Sequence, residues 1–181
     1  MTLNDIEQLY LKRQSCREFL DKPVPDELVE KICELALLSP SACNSQPWKL
    51  IAVKGEKKDE LTKAVQEMGM NTFASQAPVL IAVVEGTVKI VTSFITSKFK
   101  ETEFVKNDIG ILAAHLVLAA EAAGLGSCIL GWRNEQMIRE ILGLDENERI
   151  PLVIALGYPP EDYKIRTKIR KPRGDTFTFI K

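Results

Sequence analysis

Histidine is almost missing from this chain of 181 residues: His115 stands alone, inside an apolar stretch. A hydrolytic triad or a histidine-rich metal centre has no basis here, and a lone imidazole among apolar neighbours reads as a satisfied core or interface group. Cysteine is sparse too. Cys16, Cys33, Cys43 and Cys128 form no CxxC pair, which argues against a zinc site or a dithiol centre and fits a reducing compartment. Charge of one sign is not in excess: 24 Lys and Arg stand against 25 Asp and Glu. A net charge of −1 leaves no global footprint for nucleic acid or an anionic membrane, and neither is expected as a partner. The most apolar run, residues 109–120, is short for a bilayer span and contains His115. The N-terminus carries early acids and no signal-like apolar core, so the expected location is the cytoplasm. Paired carboxylates for glycosidase chemistry do not stand out. The glycine-rich stretch Gly124 to Gly131 is not GxGxxG and follows a helical pattern, whereas a dinucleotide fingerprint needs strand, turn, then helix. Gly126 to Gly131 has phosphate-loop spacing, but Trp132-Arg133 stands where Lys and Ser/Thr belong, which argues against a nucleotide triphosphatase.

What is present is an ordinary globular composition, 45% hydrophobic and 27% charged, in a length that suits one domain spanning residues 1–181. Leu3, Ile6, Leu9 and Tyr10 recur at helical spacing and predict an opening amphipathic helix ending near Arg13. Asp26 is the expected N-cap of a second helix whose inner side carries Leu28, Val29, Ile32, Cys33, Leu35 and Ala36, with Ser39-Pro40 as its stop. Strands are predicted at Trp48 to Val53, Pro78 to Val84, Ser127 to Leu130 and Pro151 to Gly157. A terminal strand is predicted at Thr176 to Ile180. Helices are predicted at Glu56 to Met70, Asn107 to Ala123 and Glu135 to Leu142. The 107–123 helix is apolar almost all round, which places it inside a core with Gly124 closing it. Residues 86–106 suit a strand or a helix equally. Strands separated by helices imply a layered sheet covered by helices.

Charge is distributed unevenly. Residues 164–181 hold seven cations and one acid, Asp175, leaving 17 cations and 24 acids in the rest. Lys164, Arg166, Lys168 and Arg170 alternate with Ile165, Thr167 and Ile169, the pattern of an extended arm docked on something. Two further polar segments exceed the needs of a core: Arg13-Gln14-Ser15-Cys16-Arg17, and Pro40-Ser41-Ala42-Cys43-Asn44-Ser45-Gln46-Pro47-Trp48.

With Gly124-Leu125-Gly126-Ser127, Gly157-Tyr158-Pro159 and Lys171-Pro172-Arg173, these segments closely resemble the FMN-dependent nitroreductase family, in the same order and over nearly the whole chain. The resemblance implies an α+β fold: a three-layer α-β-α sandwich on a mostly antiparallel sheet, with the C-terminal arm adding to the partner subunit. It further implies a homodimer with FMN at the subunit interface. Hydride would pass from NADH or NADPH through flavin N5 to a small organic acceptor such as a nitroaromatic or quinone, with no catalytic side chain. A phosphate dianion favours charge-assisted donors, and the resemblance assigns them to Arg13, Gln14, Ser15, Lys171 and Arg173. Lys168 or Arg170 is an alternative in the arm. Arg17 is the candidate cation beside N1 and the C2 carbonyl of the reduced ring. Pro40, Ser41, Ala42, Asn44 and Gln46 would reach the flavin from the other subunit, with the Asn44 amide suited to the pyrimidine edge. Ala42 stands where many members have a small hydroxylated residue or glycine, so its contacts would be made by backbone. Leu130 and Gly131 would lie beside N5. Trp48 reads as a core or interface aromatic. A flavin-binding storage or sensor protein with little turnover is the alternative, and a specialised reductive or flavin-consuming reaction is a third reading.

Overall fold

The computed structural model describes residues 2–86 and 101–181. Four strands, β1 (Trp48–Val53), β2 (Val79–Glu85), β3 (Gly126–Leu130) and β4 (Arg149–Gly157), form one sheet in the order β1-β2-β4-β3. Every pairing of these strands is antiparallel, with Leu50 opposite Val83, Ile81 opposite Ile154, and Ile129 opposite Ile154.

The central strand β2 explains the layering. Its side chains alternate between faces, as strand geometry requires. Leu80, Ala82 and Val84 enter one buried cluster, and Val79, Ile81 and Val83 enter the other. Helices α3 (Gly55–Val65) and α5 (Glu135–Leu142) cover the first face. Helices α2 (Asp26–Leu37) and α4 (Glu101–Ala122) cover the second. The result is the three-layer α-β-α arrangement in the α+β class. A sheet buried on both sides reads as a continuous apolar run, which is what β2 is.

Helix α4 closes as expected at Gly124, which has φ +75°. The Gly124 N–H donates to the Glu121 carbonyl and the Leu125 N–H to Ala120, the paired bonds of a left-handed helix stop. It is not buried all round, however. Ile109, Leu112, Leu116 and Ala120 face the sheet, while Gly110, Ile111 and Ala114 are exposed. Helix α1 (Leu3–Lys12), closed by a capping box between Thr2 and Asp5, buries no residue at all. The apolar sides of α1 and α4 therefore border an open groove.

Several local expectations fall differently. Asp26 is the first residue of α2, following Pro25, and its carboxylate takes an ion pair from Lys54 instead of capping. Leu35 is 43% exposed and does not join the inner side. The helix expected through Met70 stops at Val65, because Met68 and Asn71 adopt left-handed backbone and split the rest into short turns. Thr176 to Ile180 is not a strand: Arg173–Thr176 forms a single helical turn, and Phe177 onward pairs with no strand of the described residues. A lone extended segment has no ladder to join within its own chain. Of residues 86–106, those from 101 on are helical and 87–100 lie outside the described residues.

Glycine at 126 is dictated by close approach. A Cβ there would sit 2.6 Å from Cys16 Sγ and 2.8 Å from its Cβ. Gly126→Ala is expected to lower stability by about 1–3 kcal/mol, the usual cost of overpacking, measured by urea unfolding.

Candidate functional site

The first basic segment leaves α1 at Arg13 and runs beside the free edge of β3. Ser15 bridges Ser127 in parallel, and the Cys16 N–H donates to the Ser127 carbonyl at 2.8 Å. Arg17 follows, with its N–H donating to the Tyr163 hydroxyl at 3.0 Å and its guanidinium 6.0 Å from the Phe73 ring.

The arm lies on that segment. Gln14 clips it: Nε2 donates to the Lys164 carbonyl at 3.0 Å, while Oε1 accepts from the Arg166 N–H at 3.0 Å and from Arg166 Nε at 3.2 Å. Arg166 Nη2 donates to the Ser15 carbonyl at 2.5 Å, and Lys168 Nζ donates to the Arg13 carbonyl. The extended, docked arm read from the alternation is therefore present, held by side chains and not by a β-ladder.

Docking crowds positive charge. Burial pushes the Lys168 ammonium below its ordinary value, and Arg13 and Arg170 beside it push the same way. Glu121, at the end of α4, is raised by burial, against the pull of Lys12, Lys168 and Arg13. Arg13, Lys168 and Arg170 rim the open groove, whose volume is about 1000 Å³ and whose floor includes Ile6, Tyr10, Ala114, Leu118 and Ile129. Such a rim suits an anion, and the apolar floor suits a ring or another protein surface.

Lys171 and Arg173 are not part of that rim. Arg173 stacks on Phe177 at 4.8 Å, past the docked stretch. The K-x-R spacing occurs three times in the arm, at Lys164-Ile165-Arg166, Lys168-Ile169-Arg170 and Lys171-Pro172-Arg173, so sequence spacing could not choose among them. Of these, Lys168 and Arg170 line the groove. Gln14 spends its amide on the arm. Its side chain holds the cations in place instead of facing a ligand.

The second segment sits elsewhere. After Pro40, Ala42–Asn44 makes a 3-10 turn in which Cys43 and Asn44 have φ of 52° and 51°, and Gln46 follows at 47°. Left-handed backbone costs an L-residue about 1–2 kcal/mol each, so the loop needs external ties. Ser41 Oγ accepts from the Gln46 N–H at 2.9 Å. Gln46 Nε2 donates to Asn44 Oδ1 at 3.2 Å, which leaves Asn44 Nδ2 as a donor without a hydrogen bond among the described residues. Both backbone groups of Ala42 are engaged. Its N–H lies 3.2 Å from each carboxylate oxygen of Asp108, and its carbonyl accepts from the Ser45 N–H and hydroxyl. The expected backbone contacts of Ala42 are thus directed into the protein. Upstream, Ser39 Oγ donates to the Ala36 carbonyl at 2.6 Å, which makes His115 Nδ1 the donor to Ser39. His115 is indeed a satisfied structural imidazole, and Trp48 packs against the α2/α4 cluster.

Asp108 and His115 were not singled out as parts of this site by sequence reasoning. Their seven-residue spacing places both on one side of α4, the signal that was available. Thirteen residues of α4 separate Asp108 from Glu121, about 20 Å at the helical rise, so the loop's tie at Asp108 stands well away from the cations that act on Glu121.

The third segment, Leu130-Gly131, leaves β3 at the groove. Leu130 is buried, Gly131 is exposed, and a Cβ on Gly131 would meet nothing within 4 Å among the described residues. Arg133 fixes this turn by donating from Nη1 to the Gly131 carbonyl at 2.7 Å and from Nε to the Ile150 carbonyl.

The thiols of Cys16, Cys33 and Cys128 are poor nucleophiles. Burial raises Cys16 and Cys128, and lifts Cys33 to about 11. Among the described residues no cluster of His, Cys, Asp and Glu is arranged to hold a metal ion, and no helix is long and apolar enough to cross a membrane.

Comparison with known proteins decides what this arrangement belongs to. The nitroreductase family profile matches residues 10–71 and 66–158, spanning all three segments except the arm. The chain belongs to the nitroreductase family. It is 30% identical to an NADH dehydrogenase of Thermus thermophilus, over 87% of this chain and 88% of that one. A nitroreductase family protein from Streptococcus pneumoniae superposes with a TM-score of 0.82 at 27% identity, covering 97% and 100% of the two chains. An FMN-dependent nitroreductase of Clostridium difficile does so at 0.76 and 25%, covering 94% and 96%.

Replacing Gln14 by Ala removes the clip on the arm. Amide exchange at residues 164–170 is expected to quicken at least tenfold, measured by mass spectrometry, with β2 and β4 unchanged.

Proposed function

We propose that the whole chain acts as one unit of a homodimeric FMN-dependent oxidoreductase, taking electrons from NADH or NADPH and delivering them to a small organic acceptor such as a nitroaromatic or quinone. The observation that carries this reading is the convergence of Arg13, Lys168 and Arg170 at the rim of an apolar groove. There burial depresses Lys168, Arg13 and Arg170 add to it, and a phosphate dianion would offset both. Ser15, the residue that bridges β3, adds a hydroxyl donor. Lys168 and Arg170 replace Lys171 and Arg173 as the arm's phosphate ligands.

Bound flavin would supply hydride acceptance and donation at N5, chemistry that needs no acid or base from the protein. The chain's own residues bind and orient it. Leu130 and Gly131 offer backbone beside an open space, Arg17 supplies a cation for the electron-rich pyrimidine side, and Asn44 presents its amide donor. Ser41 and Gln46 orient Asn44, and Pro40 and Ala42 shape the loop that carries it.

The second subunit follows from separation. The tie of loop 40–46 at Asp108 and the cations beside Glu121 stand about 20 Å apart along α4, and a second copy would bring one chain's loop and the other's rim onto one flavin. A second copy covering the apolar faces of α1 and α4 would bring its own loop to this rim. Leu3, Tyr10, Ile111 and Ile129 are 83%, 58%, 38% and 42% exposed, an apolar stripe that a partner would bury. Ile169, Phe179 and Ile180, exposed by 88%, 71% and 89%, are the arm residues assigned to the partner. Of the arm's cations, Arg166 is spent on the Gln14 amide and the Ser15 carbonyl, which reduces what is left for a nucleic-acid surface.

The test is FMN binding followed by anaerobic titration with NADH and with NADPH, then reoxidation by a quinone. Lys168→Ala and Arg170→Ala are each expected to weaken FMN binding about 10-fold or more, the worth of one charge-assisted bond, while Lys171→Ala and Arg173→Ala stay within threefold. The reverse ranking would return the phosphate to Lys171 and Arg173. Tight FMN that neither nicotinamide reduces would make the protein a flavin store or sensor.

A further inference from the structure

Resting on the flavin-binding reading above, we infer that Asp108 is a positioning residue for the flavin: a buried strut under loop 40–46 that holds the Asn44 amide as a donor to it. Asp108 touches nothing that reacts. It acts through Ala42.

The loop is organised around two residues. The Asn44 N–H donates to the Ser41 carbonyl at 3.0 Å, the Ser45 N–H to the Ala42 carbonyl at 3.0 Å, and the Gln46 N–H to Ser41 Oγ. These bonds all turn inward on Ser41 and Ala42, so they fix the loop's shape but not its place. Among the described residues, the bond from the Ala42 N–H to Asp108 is the only hydrogen bond that ties residues 40–45 to another element.

The residue chosen for this tie is informative. Asp108 is 4% exposed, and a carboxyl group is costly to bury for one backbone donor among the described residues. What it secures is costly as well: three L-residues in left-handed backbone, Cys43, Asn44 and Gln46, within four positions. Such strain persists only where surrounding structure over-determines it, and it collects at sites that must be preformed. Asn44, whose Oδ1 is committed to Gln46, lies between the strained positions. Releasing Ala42 lets the backbone at 43 and 44 relax, and the Asn44 donor turns away from the ligand. His115 supplies the companion tie one heptad along α4, through Ser39, and fixes the loop's entry.

Three proteins decide it: wild type, Asp108→Leu and Asp108→Asn. Each is examined for FMN affinity by flavin fluorescence, for the visible circular dichroism of bound FMN, and for amide exchange. Asp108→Leu is expected to weaken FMN binding at least tenfold, alter the flavin dichroism, and speed exchange at 40–46 while β2 and β4 keep wild-type rates. Asp108→Asn keeps an acceptor oxygen and is expected to stay within threefold. If Asp108→Leu does not fold, Ala42→Pro replaces it. That variant deletes the same donor, and Ser41, at φ −144° and ψ 158°, already has the backbone that a following proline requires. The same loss is expected. Unchanged affinity and dichroism in the soluble variant overturn the inference, as does exchange that rises equally in β2 and β4. A wild-type protein that binds no FMN would instead overturn the parent reading.

Discussion

One backbone bond decides where the charge of both chain ends is placed. The Cys16 N–H donates to the Ser127 carbonyl at the outer edge of β3, in a space that exists because Gly126 has no side chain. That seat fixes Arg13, Gln14 and Ser15, and Gln14 in turn fixes the arm 150 residues later in the chain. The cations at the rim are neighbours only because an edge strand accepted a passing segment. Without that contact the basic arm would be a solvated tail.

The proposed function uses the helix between the two polar segments as a spacer. Helix α4 ties the loop along its middle, through Asp108 and His115, and meets the cations beside Glu121 at its C-terminal end. Its sheet-facing side is core and its opposite side is open apolar surface. In the proposed dimer that open side is the contact, and the distance along the helix sets how far each loop would reach into its partner. Each chain of that dimer would lend its loop to one flavin and its cationic rim to the other.

Much of this was legible from the chain. Trp48 to Val53 and Glu135 to Leu142 carry their period without interruption, and the elements match residue for residue. The apolar run of β2 announced a sheet covered on both faces. The polar segments 13–17 and 40–48 stood out because no core needs them. What failed to show has physical reasons. A repeated K-x-R pattern carries no register, and the Gln14 amide that seats the arm, through Lys164 and Arg166, lies 150 residues from Lys164. Asp108 and His115 look like intrusions in an apolar helix until the loop they hold is seen. The tail from Phe177 alternates like a strand but pairs with no strand among the described residues. Met68 and Asn71 broke a helix that propensity would continue, since left-handed turns in L-residues are set by tertiary contacts.

The central claim is that each flavin is gripped by two chains. It is tested most directly by FMN stoichiometry in purified heterodimers pairing an Arg13→Ala, Lys168→Ala chain with an Asn44→Ala, Asp108→Leu chain. A shared site predicts one intact and one doubly damaged position, hence one tightly bound FMN per heterodimer, although neither homodimer retains any. No tight FMN in the heterodimer would place the whole site within a single chain and contradict the account.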